Sequence, residues 1–390
     1  VLFDYVVVGA GLSGGVMAER ISNVLNRNVL VIEKRSHIGG NTYDRYDKNG
    51  IFIHQYGPHI FHTKIKEVWD YLSQFTEWRE YYHHVLGSID GKRVPIPFNL
   101  NTLEQLLPAH LAGELEKKLV QHFGYGSKVP ILKLREVEDP DLKWLADFVY
   151  ERVFVNYTIK QWGMKPEELD PAVTGRVPVF ISRDDRYFSD PYQGLPKHGY
   201  TRMFEKLFNS PKIKLMLNTD YREVLHLAWD QRTFSLFGQP FRGTVIYTGA
   251  IDELFEYKYG QLPYRSLRFE FETVHQERYQ ETGTVNYPNE YNFTRITEFK
   301  HLTGQHHKDS VIVREYPQPY ERDVPGRDIP YYPVPHPDHQ ELFKKYWREA
   351  QNIPQLILVG RLAEYKYYDM DACVAKALKV FEQKLEPYNH

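Results

Sequence analysis

Cysteine is almost absent from this chain: one thiol, Cys373, cannot close an internal disulfide, which fits a reducing compartment and a small buried hydrophobe at that position. Long apolar runs are missing too. No stretch approaches the roughly 20 residues that a membrane-spanning helix needs, so a span of that kind is excluded. Excess charge of either sign is lacking, with 49 Lys and Arg against 51 Asp and Glu and a formal net charge of −2. Without a basic run, nothing draws the chain to nucleic acid or acidic lipid. Ahead of Tyr5–Val8 there is no succession of basic segment, apolar stretch and cleavage site, so secretion is not expected and a cytoplasmic location is. What the chain holds in plenty is aromatic: 15% of residues, with 30 tyrosines. Tyrosine joins a stacking face to a hydroxyl, a composition that suits a polar, planar ligand such as a nucleotide sugar, although core and surface tyrosines account for most of it.

At 390 residues the chain is too long for one ordinary core. Residues 4–8 read as a buried strand, Leu12 to Leu25 as a helix and Asn28 to Ile32 as a second strand, which together make a βαβ unit. A helix is expected around Lys66–Phe75, and Val94-Pro-Ile-Pro-Phe98 reads as a break in regular structure. Leu103 to Phe123 and Leu142 to Val155 carry helical spacing, with "KPEELDP" at the far edge. Beyond a helix in His198–Phe208, strands are expected at Lys214–Leu217, Thr233–Phe237 and Thr244–Tyr247, then at Leu267–Val274 and Val311–Glu315. The chain closes with a helix near Gln340–Gln351, a strand Leu356–Val359 and a helix from Met370 to Lys384. The expected class is α/β: a Rossmann-like FAD-binding domain with a helical insertion and an antiparallel β-sheet substrate domain. The domain limits expected are 1–80, 190–250 and 335–390 for the discontinuous FAD-binding part, and 100–160 for the helical part, with a mobile substrate lid nearby. The β part takes 81–99, 161–189 and 251–334.

"DYVVVGAGLSGG" places Gly9, Gly11 and Gly14 in GxGxxG spacing between strand and helix. The first glycine turns the chain, the second lets backbone approach a pyrophosphate and the third lets helix and strand pack closely. The helix start, with Leu12 and Ser13, offers N–H groups and a positive dipole end to phosphates. Glu33 ends the second strand, where a carboxylate can bind adenosine ribose hydroxyls. "EKRSHIGGN" favours FAD over NAD, because Gly40 and Asn41 follow soon after Lys34 and Arg35, so backbone can pass close to an extended cofactor while Arg35 adds charge near its phosphates. Gly360-Arg361 and the helix start at Asp369-Met370 can present N–H groups to the flavin end. His54, His59 and His62 fit no zinc spacing, so no metal site is expected, and no GxSxG elbow, P-loop or HExxH helix occurs.

Along nearly its whole length the chain resembles the bacterial-type UDP-galactopyranose mutases, through the ordered blocks "VIEKRSHIGGNTYD", "YGPHIFHT", "NYTIKQWG", "RYFSDPYQGLPKHGYT", "YTGAID", "YRSLRFE", "FTRITEFKH", "EYP…PYYPV" and "GRLAEYKYYDMD". The resemblance implies interconversion of UDP-galactopyranose and UDP-galactofuranose, the precursor of galactofuranose in cell-surface glycans, on FAD and without net redox change. A pyranose becomes a furanose only after C1 leaves UDP and the ring oxygen is freed. In the mechanism the resemblance implies, N5 of reduced FAD attacks C1 and expels UDP, the flavin–sugar adduct opens as an iminium, the 4-hydroxyl re-closes and UDP returns. It further implies that Arg176 and Arg295 clamp the diphosphate, Tyr187 and Phe188 stack on uridine, and Trp162 rides the lid with Tyr157 near. Tyr332, Tyr367 and Asp369 are implied around phosphates, sugar and flavin end, Asn286 among the substrate contacts, and His59 beside the reactive flavin face with Ile60 following. A homodimer is expected on the same ground. Two places depart from the family pattern: His83 stands where an asparagine is expected, and "YPQPYERDVPGRDIP", between Glu315 and Tyr331, is longer and richer in proline. A flavin-dependent oxidase of the amine-oxidase-like superfamily, or a non-catalytic flavin or nucleotide-sugar binder, would share the N-terminal signature. The oxidase has no use for the diphosphate clamp in the "KQWG", "RYFSD" and "FTRITE" set, and against the non-catalytic binder stands the completeness of the site, since loss of catalysis commonly erodes the substrate arginines.

Overall fold

The computed structural model describes residues 3–386; of the expected 1–80 and 335–390 segments, residues 1–2 and 387–390 lie outside the described residues. Five short strands make a parallel sheet in the order Ile213–Met216, Val29–Ile32, Tyr5–Val8, Thr244–Tyr247, Leu356–Leu358. Four of them carry Val, Leu and Ile at successive buried positions because both faces are covered, while the edge strand Ile213–Met216 exposes Lys214 and Leu215. Helices Leu12–Asn23 and Met370–Lys384 pack on one face through Val16, Met17 and Ile21 against Val374, Ala377 and Phe381. Phe255, Tyr346 and a small sheet of Leu225–Ala228, Thr233–Leu236 and Gln239–Phe241 cover the other.

A second sheet of seven strands runs Tyr332–Pro333, Tyr264–Val274, Ser310–Pro319, Arg295–Glu298, Thr284–Asn286, Val85–Ile89, Lys92–Ile96. Its pairings are antiparallel except that of Thr284–Asn286 with Val85–Ile89. The break expected at Val94–Phe98 falls only at Pro97–Phe98: strand Lys92–Ile96 passes through Pro95, opposite Leu86. It lies at the edge of the sheet, where a proline's missing N–H faces away from the ladder.

Helices Leu100–Leu106, Ala109–Phe123 and Pro140–Val149 bury Leu103, Leu115, Leu119, Leu142 and Leu145 in a separate core. Their starts are chemically marked. Asn99 accepts from the N–H groups of Asn101 and Thr102 in a reciprocal cap, and Asp139 accepts from Asp141 and Leu142 with Pro140 at the first helical position. Pro140–Val149 continues through one π-type turn, Tyr150–Phe154, into Val155–Trp162, which ends on Gly163 at φ 72°. Among the described residues no helix is long and apolar enough to cross a membrane. The expected class, a Rossmann-like α/β unit with a helical insertion and an antiparallel sheet, is the one observed.

Candidate active site

A cleft of about 270 Å³ opens where Val8, Ile32 and Tyr247 end their parallel strands, the position at which α/β sheets bind nucleotides. Gly9, Gly11, Leu12, Ser13 and Gly14 line it from the first turn, Glu33, Lys34 and Arg35 from the end of the second strand, and Gly40 and Asn41 from the second glycine pair. His59, Arg361 and Met370 line it as well. A side-chain carbon added at Gly11 would meet only the Gly40 α-carbon, at 3.7 Å, so open cleft lies over this turn. At Gly14 the same atom would sit 2.0 Å from the Gly9 carbonyl oxygen, so strand and helix touch there only because no side chain intervenes. The buried Glu33 carboxylate accepts from the N–H groups of Ala10 and Arg35, each at 2.9 Å, which ties the acid to the glycine turn. Arg35 Nη2 donates to Asn41 Oδ1 at 3.0 Å and the guanidinium lies 4.5 Å from the centre of the Tyr56 ring. Its Nη1 is buried with no hydrogen-bond partner among the described residues.

A second cavity, of about 610 Å³, lies between the antiparallel sheet and the Val155–Trp162 helix and the turns that follow it. Tyr157, Trp162, Arg176, Tyr187, Phe188, Asn286, Arg295, Tyr332 and Tyr367 all line it. Arg295 donates through Nε to Glu315 Oε2 at 2.9 Å. Burial is the largest influence and pulls that guanidinium's pKa down, but Glu315, Tyr157 and Tyr187 together hold the group above its ordinary value, so Arg295 stays charged. Arg176 pairs with Asp369, donates to the Tyr367 carbonyl at 3.2 Å and lies 4.2 Å from the Tyr367 ring centre. Trp162 is buried between Tyr332 and Tyr367, ring centres 4.9 and 5.4 Å away. The Tyr332 hydroxyl is itself buried and unpartnered among the described residues. Phe188 stacks on His62 at 3.6 Å and stands edge-on to Tyr187, while His62 Nδ1 lies 2.5 Å from Asp190 Oδ2.

The two cavities meet at His59, Arg361 and Met370, which line both. His59 Nδ1 lies 2.8 Å from the Gly57 carbonyl oxygen, and since a carbonyl can only accept, Nδ1 carries the hydrogen. Desolvation, followed by the charges of Arg361 and Arg295, lowers the His59 pKa to about 4 against the opposing Gly57 bond. The ring is therefore neutral at pH 7, with Nε2 free to accept a proton or hydrogen bond. Arg361 is fixed by donating to the carbonyls of Tyr368 and Tyr331.

Two residues grouped by sequence with the cofactor lie on the second cavity and not the first: Ile60, packed with Leu195 and Leu302, and Asp369, paired with Arg176. His83 also lines the second cavity, within 3.1 Å of the Tyr81 hydroxyl, with its ring edge-on to Tyr187. Sequence reasoning gave no role to Glu315, whose place is set by strand register directly opposite Arg295. Nor did it single out Thr219–Tyr221 and Thr248, which line the first cleft from the ends of two other parallel strands; the signal was there in the strand ends once those strands were known to be parallel.

The family model described as UDP-galactopyranose mutase matches residues 152–367, and that of an NAD(P)-binding Rossmann-like domain matches residues 7–75. The chain is 36% identical over 389 residues to a UDP-galactopyranose mutase of Mycoplasma pneumoniae, covering 98% of this chain and 96% of that one. The chain belongs to the UDP-galactopyranose mutase family. It is accordingly an enzyme of the isomerase type. Within reach of the same similarity stands a dTDP-fucopyranose mutase of Escherichia coli, 34% identical with 96% of each chain covered. The crystal structure of a reduced UDP-galactopyranose mutase shares the fold at a TM-score of 0.73 and 15% identity, over 99% of this chain and 94% of that one.

Proposed function

We propose that the protein interconverts UDP-galactopyranose and UDP-galactofuranose with FAD in the first cleft, and thereby supplies galactofuranose for cell-surface glycans. The observation that carries the proposal is the meeting of a dinucleotide cleft and an arginine- and tyrosine-lined cavity at His59, Arg361 and Met370. The first cleft fits a dinucleotide flavin: Arg35 Nη1 is a buried donor without a partner among the described residues, Gly11 leaves open space over the turn, and Glu33 sits where a ribose would be held. Gly9, Gly11, Leu12, Ser13, Gly14, Glu33, Lys34, Arg35, Gly40 and Asn41 would hold it from the nucleotide side, His59, Arg361 and Met370 from the other. When bound and reduced, a flavin supplies a nitrogen nucleophile for the sugar's anomeric carbon.

The chain's own residues do the rest. Arg176 and Arg295 hold the diphosphate with paired donors and stabilise the charge it gains as the anomeric bond breaks. Tyr187 and Phe188 hold the base, and Tyr157, Asn286, Tyr332 and Tyr367 orient phosphates and sugar. Trp162, at the end of its helix, closes the cavity and keeps water from the opened sugar. His59, neutral and with Nε2 unprotonated, accepts a hydrogen bond at the junction.

The test is to incubate the purified protein with UDP-galactofuranose, with and without dithionite, and to separate the products chromatographically. Formation of UDP-galactopyranose only in the reduced sample is expected. The dTDP-fucofuranose counterpart, run in parallel, decides between the two nucleotide sugars: conversion of that compound alone would replace the proposed substrate. No conversion of either by fully reduced, flavin-loaded protein would end the mutase reading of this site.

A further inference from the structure

The segment that departs from the family pattern leaves the seven-stranded sheet at Pro319 and rejoins it at Tyr332. Its tip closes on itself. Glu321 N–H donates to the Arg327 carbonyl at 3.1 Å, Arg327 N–H to the Val324 carbonyl at 2.9 Å, and the Glu321 and Arg327 side chains are paired. On either side of the exposed tip the chain turns inward, and Tyr320, Asp328, Pro330 and Tyr331 line the first cleft. None of these four lines the second cavity among the described residues.

Their neighbours show what they cover. Tyr320 packs edge-on against Tyr264 with ring centres 5.8 Å apart, and burial first, then the Glu253 and Asp252 carboxylates, raises its hydroxyl to about 12. Glu253 and Tyr221 line the same corner of the cleft. At the other end of the segment Tyr331 packs on Tyr56, 6.4 Å between ring centres, and the Tyr56 ring carries the Arg35 guanidinium. The Tyr331 carbonyl accepts from Arg361 Nη1 at 2.9 Å. The segment thus spans from the Tyr221–Glu253 corner to the Arg35–Tyr56 corner beside Glu33; Tyr320 and Asp328 line this cleft alone, while Tyr331 also reaches the junction through Arg361 and packs with Trp162 and Tyr332.

We propose that Tyr320–Tyr331 is a strap across the adenosine half of the dinucleotide cleft, with Tyr320 and Asp328 as cofactor-holding residues. This rests on the reading that the cleft takes FAD. A tyrosine there offers a ring face and a protonated hydroxyl, and Asp328 a carboxylate for ribose hydroxyls, so the strap slows release of the cofactor.

Release can be timed directly. FAD content per chain and the rate at which flavin fluorescence appears on dilution are measured for the unmodified protein, for Tyr320→Ala/Asp328→Ala, for the volume-conserving Tyr320→Phe/Asp328→Asn, and for Val324→Ala at the exposed tip. The alanine pair is expected to release FAD on the order of tenfold faster, the conservative pair to fall between, and Val324→Ala to match the unmodified protein, since interface truncations act mainly on the off-rate. The conservative pair keeps the question open to answer should the alanine pair fail to fold. Equal release from the substituted pairs and the unmodified protein overturns the strap while leaving the FAD reading intact. An unmodified protein that neither purifies with FAD nor binds it overturns the cofactor reading, and the strap falls with it.

Discussion

Arg295 and Glu315 face each other across two antiparallel strands, the carboxylate buried and the guanidinium open on one side to the second cavity. One residue therefore has two jobs: it neutralises a buried acid and presents its remaining N–H groups to an anionic ligand. Arg295→Ala is expected to cut turnover by on the order of 10² or more, the usual cost of losing a preorganised partner of developing charge. It should also cost about 1–3 kcal/mol of stability, because Glu315 is left buried without its donor. The double variant Arg295→Ala/Glu315→Gln separates the two effects: urea unfolding should show stability recovered in part, while turnover stays low. Arg176→Ala should lower turnover to a similar degree with little change in stability, because Asp369, its partner, is exposed enough to be solvated. Near-normal turnover in either arginine variant would remove the diphosphate clamp from the site.

At the scale of elements, the strand–turn–helix at residues 5–23 assigns different work to glycines three positions apart. Gly11→Val puts a side chain where the protein has only open cleft, so folding should survive and cofactor should not bind. Gly14→Ala drives a carbon into the Gly9 carbonyl, so strand and helix must separate and stability should fall by about 1–3 kcal/mol, as overpacking does. Flavin absorbance per chain and thermal unfolding of the flavin-free proteins, read side by side, distinguish the two. A Gly11→Val protein with full flavin content would contradict the assignment of the turn. The Val155–Trp162 helix is likewise held by its neighbours: Arg265 donates to the carbonyls of Gln161 and Lys160, and Lys160 Nζ to those of Tyr287 and Glu290. Burial lowers the Lys160 pKa to about 8, so that tether is still charged at neutral pH and fades above it.

Over the whole molecule, buried histidines make stability depend on pH. Burial lowers His54 and His83 to about 3, with the Arg295 charge assisting at His83 and the neighbouring His59 at His54. Both are neutral in the folded chain through the range where the unfolded chain binds protons, below about 6.5. Their contribution is complete above that value and is lost as pH falls toward 3, since stability rises with pH wherever the unfolded state holds more protons. Asp252, raised by burial to about 6, has the opposite sign between about 6 and its unfolded value near 3.9, and cancels part of the slope. His83→Asn should therefore flatten the fall in unfolding free energy between pH 6 and 5 by about 1 kcal/mol per pH unit. Urea titrations at several pH values read this directly, and parallel slopes for the two proteins would mean that His83 titrates normally in the fold.

Much of this architecture was legible in the residues. The glycine turn, the acid that ends the second strand and the final helix from Met370 to Lys384 each rest on chemistry carried within a short stretch: backbone space, strand and helix periodicity, a helix start. Pro95 misled because a proline reads as a break until the strand's edge position is known. Likewise the long, proline-rich segment after Glu315 carries no mark of a cofactor contact until Tyr320, Asp328, Pro330 and Tyr331 are seen lining the cleft. By itself the sequence determined the nucleotide-binding unit and the family, since those depend on local order along the chain. Only the tertiary structure decided that Glu315 faces Arg295, that Asp369 meets Arg176, and that Tyr320 and Asp328 reach the dinucleotide cleft. Those contacts depend on strand register and on the packing of segments far apart in the chain, which no local pattern encodes.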